Sequence, residues 1–227
     1  MREPKLRPLT RLGVTPRIAI AAAAAAALAL GLGAWHLLAR PPPPLEIGGY
    51  VLATPRDLPP VELVDEHGSP FRPEDFVGHW SFLYFGYTYC PDVCPLTLVE
   101  LNKVKVDLAH SGFAEPSAYY LVSVDPKRDT PARLAEYVAY FDPELRGVTG
   151  PPAALAALAQ AADTVFDISD DSGGDDSGGN NYLVSHSSNV VLLDPNGRVH
   201  AVFAAPHDPS RMAGDFTKVV ARYNGLK

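Results

Sequence analysis

Two cysteines stand four positions apart in the stretch YFGYTYCPDVCPLT, residues 84–97, and the chain has no others. Thiols at that spacing can do three kinds of chemistry. They can close a structural disulfide, cycle as a redox dithiol, or give two soft ligands to a metal ion. A bridge between Cys90 and Cys94 would close a very short loop, so chain entropy gives it little stabilising value. A redox pair suits a strand-to-helix turn, although the familiar motif has two intervening residues rather than three. A metal site needs a further ligand. Pro95 disfavours helical geometry at the residue before it. That places Cys94 at the N-cap of a helix and Cys90 in the preceding turn. The positive end of a helix stabilises a thiolate, which predicts a lowered thiol pKa.

Seven histidines are the candidates for a third ligand. His36 falls in an apolar run and reads as a ring at membrane headgroup level. His67, His79, His110, His200 and His207 fall in a turn, a strand start, a helix end, a hairpin strand and a loop. Each reads as a surface or packing residue. His186, in YLVSHSSNVVLLD, stands between a Gly/Asp-rich stretch and a buried hairpin, free to reach across a sheet edge. Spacing alone does not set it apart from the others.

The elements that must position these residues follow from periodicity and turn chemistry. Residues 59–66 read as a strand with a turn after it. Residues 79–86, HWSFLYFG, are aromatic and β-rich, a buried strand that feeds the cysteine turn. A helix is predicted from Pro95 to about Ala109, with Leu98, Leu101 and Val104 at helical spacing. Residues 118–124, AYYLVSV, read as a second buried strand. Thr130 is an N-cap with Pro131 at the first position of a helix running to residue 141. Residues 145–149 are a short strand and 151–162 an alanine-rich helix. Residues 189–194 and 198–203 form a hairpin around Pro195, Asn196 and Gly197, and 208–224 close with a helix. Strand–helix alternation followed by a hairpin predicts an α/β chain: a thioredoxin-like fold whose mixed central sheet is flanked by helices. Residues 169–181, SDDSGGDDSGGNN, have no apolar side chain and read as a mobile acidic loop. Their spacing does not match a calcium-binding loop.

Charge is unevenly spread over the 227 residues. Six basic residues against Glu3 give residues 1–40 a balance of +5, so the total of −7 leaves −12 on residues 41–227. An acidic body argues against nucleic-acid binding. The basic end precedes 22 apolar residues, Ile18 to Ala39, long enough to span a bilayer. Positive charge on the N-terminal side predicts a cytoplasmic segment 1–17, a transmembrane helix 18–39, and a body sent across the membrane. A cleaved signal peptide is the competing reading. Residues 40–46, rich in proline, read as a stiff linker, and 47–227 as one domain in a compartment that permits disulfides.

The segments FGYTYCPDVCP, SVDPKRDTP with LAEYVAYFD, and YLVSHS followed by VVLLDPNGRV occur in that order. Together they resemble the Sco/SenC family over roughly residues 47–225. Its members are membrane-anchored, thioredoxin-fold copper proteins that help assemble the copper centre of cytochrome c oxidase. The resemblance implies that Cys90, Cys94 and His186 are metal ligands and that Asp125 supports the site. It implies copper, as Cu(I) or Cu(II), as the cargo. It implies the copper-bearing subunit of the oxidase as partner, with other copper chaperones or thiol reductants beside it. It also places the chain in the inner membrane with its soluble domain in the periplasm. Two thiolates favour a soft ion, and an imidazole accommodates Cu(II) as well. The alternative is a membrane-tethered thiol-disulfide reductase using the same two cysteines as its redox pair.

Overall fold

A computed structural model describes residues 16–38, 43–113, 115–168, 182 and 184–225. The chain divides into two units, residues 1–43 and 44–227. The first contains α1, Pro16–Leu38. At about 1.5 Å per residue its 23 residues extend about 34 Å, enough to span a hydrocarbon core of about 30 Å. The side chains from Arg17 to His36 are exposed, and this stretch is apolar enough to cross a membrane. The helix starts two residues before the predicted Ile18, because Pro16 suits a first helical turn.

The second unit contains an eight-stranded mixed sheet. Its strands are β1 (Gly49–Arg56), β2 (Leu63–Asp65), β3 (Pro70–Phe71), β4 (Trp80–Gly86), β5 (Ser117–Ser123), β6 (Leu145–Thr149), β9 (Val190–Leu193) and β10 (Val199–Phe203). Between β6 and β9 come β7 (Phe166–Ile168) and β8 (Val184–His186), which among the described residues pair only with each other. The sheet order is β1-β10-β9-β4-β5-β6-β2-β3. Strands β4, β5 and β6 run parallel, and the remaining pairs are antiparallel. The parallel strands need crossovers, supplied by α2 (Val93–His110) and α3 (Pro131–Phe141). Helices α4 (Pro152–Ala161) and α5 (Pro209–Gly225) complete the thioredoxin-like arrangement.

Central β4, WSFLYFG, is buried at all seven positions, as expected of a strand covered on both faces. Its Phe82 ring lies 4.9 Å from Phe216 of α5, and Trp80 lies 5.6 Å from the same ring. Helix α2 buries Cys94, Thr97, Leu98, Leu101, Val104 and Leu108, a stripe at helical spacing. Helix α5 buries Met212, Ala213, Phe216, Val219 and Val220 in the same way. Buried Asp215 on α5 accepts from Gly48 N at 2.8 Å and Lys218 Nζ at 2.6 Å, fastening the chain where it enters β1.

Most predicted elements are present, including the Thr130 cap, whose Oγ1 accepts from Arg133 N at 3.3 Å. Three differ. The strand expected at 59–66 is only Leu63–Asp65: Pro59 and Pro60 have no N–H to give a ladder, and Asp65 ends the strand by accepting from the backbone of His67 and Ser69. Strands β1 and β3 and the β7–β8 ribbon have no counterpart among the predicted elements. Helix α2 starts at Val93 with Asp92 as N-cap, two residues before Pro95. Cys94 is therefore the second helical residue rather than the cap. A proline at the third helical position forfeits no intrahelical bond, since the first four N–H groups have none. The predicted acidic loop at 169–181 lies outside the described residues.

Candidate metal centre

The cysteine turn leaves the end of β4 and enters α2. Cys90 N donates to Tyr87 O at 3.3 Å, closing the turn. Cys94 N donates to Cys90 Sγ at 3.4 Å, so a free amide of the first helical turn points at the other sulfur. Both cysteines are thiols. Cys94 is fully buried, while Cys90 keeps 9% of its surface. The Cys94 sulfur approaches β4 because residue 86 is glycine. A Cβ there would lie 3.0 Å from Cys94 Sγ and 3.0 Å from Tyr84 Cε1.

His186 ends β8, where it pairs with Phe166 of β7. Its Nδ1 lies 3.1 Å from Ser187 O. A carbonyl only accepts, so Nδ1 carries the proton and Nε2 presents a lone pair. That lone pair faces Cys94 Sγ at 3.2 Å. Tyr84 and Tyr87 stand edge-on to the imidazole, at 5.8 and 5.9 Å between ring centroids. Cys90, Cys94 and His186 each offer one ligand atom, and all three atoms lie within 4.8 Å of one another. Residues 92 positions apart thus meet over a gap that one metal ion can span.

Electrostatics favour neutral groups in the metal-free site. Burial lowers the His186 pKa, against a smaller opposing effect of the bond to Ser187, so the ring is a free base near neutral pH. Burial pushes the Cys94 thiol up to about 12, against the bond from the Tyr87 backbone. This overturns the expected lowering of that thiol. The helix N-terminus is present, but loss of water around a fully buried sulfur outweighs it.

Asp125 is fully buried but bonds to Tyr182 and Arg128. It accepts from the Tyr182 hydroxyl and from Arg128 Nε. Arg128 also donates to Tyr182 O at 3.0 Å, and its guanidinium lies 3.7 Å from the Tyr182 ring centroid. The pair clamps Tyr182, four residues before His186. Asp129 does the same for the cysteine side. Fully buried, it accepts from Thr88 N at 2.9 Å, Thr88 Oγ1 at 2.6 Å and Ser123 Oγ at 2.6 Å. Burial raises its pKa against those bonds. Beyond His186, His207 Nε2 donates to Ser188 O at 2.7 Å.

The sequence reading missed Asp129 and the tether from His207. The signal for Asp129 was the second acid of DPKRD, a buried partner for the turn before Cys90. The other histidines behave as packing or surface residues. His79 Nε2 lies 3.2 Å from the Tyr120 hydroxyl, His67 lies 3.4 Å from Glu66, and His200 packs against Trp80 at 5.5 Å.

The family model for SCO1/SenC matches residues 54–221. A protein of Stutzerimonas stutzeri whose name ascribes copper binding to it is 37% identical over 158 residues, 69% of this chain and 74% of that protein. The mitochondrial SCO2 homolog of Bos taurus is 34% identical over 161 residues, 71% of this chain and 57% of that protein. Among solved structures, copper-bound ScoI of Arabidopsis thaliana superposes with a TM-score of 0.66 at 29% identity. That superposition covers 74% of this chain and 99% of the other. With a family model matched over most of its length, the chain belongs to the SCO1/SenC family.

Proposed function

We propose that this chain is a copper metallochaperone: it binds one copper ion through Cys90, Cys94 and His186 and delivers it in the assembly of cytochrome c oxidase. The observation that carries the reading is the meeting of two thiols and a correctly tautomerised imidazole within 4.8 Å. Two sulfurs and one nitrogen suit copper in either oxidation state, whereas a structural zinc site uses four protein ligands. Three ligands leave an approach for the receiving site. The matched relatives named or solved with copper support the same cargo.

Loading follows from the protonation states. Cys94 enters as a thiol and must release its proton, while His186 Nε2 is ready to bind. Asp125 and Asp129 hold the two halves of the site in register without touching the ion. Oxidation to a Cys90–Cys94 disulfide, with two electrons passing to an oxidant, would remove both thiolates and release the copper. Thiol reductants therefore belong among the partners, beside the copper-bearing oxidase subunit and other copper chaperones. In this reading residues 1–17 are cytoplasmic, 18–39 cross the inner membrane, 40–46 form a spacer and 47–227 act in the periplasm.

Anaerobic metal analysis and visible absorption of the reduced chain test the assignment. One copper per chain is expected, and His186→Ala weakens Cu(II) binding and changes its spectrum. An unchanged Cu(II) affinity and spectrum in that variant would refute it. The second reading, a thiol-disulfide reductase, is favoured by one observation: Cys90 reaches the surface and Cys94 does not. Reduction of a partner disulfide that survives His186→Ala would support it.

A further inference from the structure

The Tyr84 hydroxyl is fully buried and has no hydrogen-bond partner among the described residues. Such groups are rare in folded proteins, because a phenol taken from water without a partner costs free energy. Tyr84 is not remote from the chemistry. Its ring stands edge-on to His186, and it shares the space over Gly86 with the Cys94 sulfur. Cys94 and Thr97 are the side chains that face its hydroxyl. Thr97 has already committed its own proton to Val93 O at 3.0 Å.

Resting on the copper reading above, we propose that Tyr84 is a positioning residue whose hydroxyl donates a hydrogen bond to the Cys94 sulfur when copper is bound. A neutral thiol is a weak acceptor, and in the metal-free site Cys94 faces the His186 lone pair. Copper binding removes the thiol proton and turns both sulfur and nitrogen toward the ion. The sulfur then carries negative charge and becomes a strong acceptor beside a donor that has no other partner. Hydrogen bonding around a copper-bound cysteine sulfur tunes the metal's redox potential. Drawing electron density off the sulfur weakens its donation to Cu(II) more than to Cu(I). The hydroxyl therefore biases the site toward Cu(I).

The test compares the full reduced chain in detergent with Tyr84→Phe and Thr97→Val, each titrated with Cu(I) and Cu(II) against competing chelators. Tyr84→Phe keeps the ring, so the metal-free melting temperature is expected to stay at or above that of the wild type. Its ratio of Cu(I) to Cu(II) affinity is expected to fall about tenfold, the worth of one hydrogen bond to a charged group. That fall lowers the midpoint potential by about 59 mV. The sulfur-to-copper absorption band is expected to move to longer wavelength. Thr97→Val, which removes the neighbouring hydroxyl, is expected to keep the wild-type band. A fully loaded Tyr84→Phe chain with wild-type band and ratio overturns the inference alone. So does a metal-free variant that melts well below wild type, which would make the hydroxyl a structural bond. A wild-type chain that takes up no copper overturns the function from which the inference starts.

Discussion

Gly86→Ala tests whether the buried sulfur is held by contact with the central strand. The alanine methyl would sit 3.0 Å from Cys94 Sγ, 3.0 Å from Tyr84 Cε1 and 3.3 Å from Leu121 Cδ1. Relaxed apolar contacts lie at about 3.5–4.0 Å, so each neighbour must give by a few tenths of an ångström. The ring of Tyr84 and the side chain of Leu121 are fully buried and have little room to retreat. The sulfur, on the first turn of α2, yields first and leaves its 3.2 Å register with His186. Overpacking of this kind costs about 2 kcal/mol, which for a domain of this size lowers the melting temperature by about 5 °C. If about 1.4 kcal/mol of that strain falls on the ligand set, copper affinity drops about tenfold. Gly214→Ala is the control: nothing lies within 4 Å of its added methyl, and alanine favours the interior of α5. It is expected to raise the melting temperature slightly and leave copper binding unchanged. Calorimetry and chelator competition read both quantities. A Gly86→Ala chain with wild-type melting temperature and copper affinity would refute the packing argument.

Two further outcomes follow from the same geometry. Because Cys94 is held as a thiol with a pKa of about 12, copper must displace its proton. Apparent Cu(I) affinity is therefore expected to rise about one decade per pH unit from that proton alone between about pH 6 and 9; an affinity flat in pH would count against a protonated ligand. Tyr182→Phe deletes the bond to Asp125 and leaves the ring under Arg128. It is expected to cost about 1–2 kcal/mol of stability and to speed Cu(II) release several-fold in stopped-flow measurements. An unchanged release rate would mean that the clamp does not hold His186.

How much of this was legible in the sequence depends on where each element gets its stability. The strand Trp80–Gly86 and the helix after it are specified locally, by a continuous apolar run and by leucines at helical spacing. The cap at Thr130 is likewise a local device. Strand β1 is different. Its residues are mostly exposed or half-exposed and include Pro55, so neither alternation nor β-propensity marks it. It exists because β10 offers a free edge far along the chain, where Val51 pairs with Ala201 and Arg56 with Val199. The β7–β8 ribbon is three residues on each side, too short for a period to be read.

The site divides along the same line, and the division explains why the thiol pKa was misjudged. Local sequence puts Cys94 beside a helix N-terminus, and that field does favour the thiolate. The opposing term is set by what the rest of the chain brings over the sulfur: Gly86 and Tyr84 beneath it, and His186 from the far side. None of these is a neighbour in sequence to Cys94 within helical range. Desolvation by that cover is what drives the thiol up. The same cover delivers the imidazole as a free base with its lone pair on the sulfur. A dithiol meant only for rapid exchange is served by a low pKa and an exposed sulfur. A buried, protonated sulfur facing an unprotonated nitrogen suits a different task, in which a metal ion replaces the proton between them. The burial that defeated the local reading of the helix end is thus the feature that separates a cargo site from a simple redox pair.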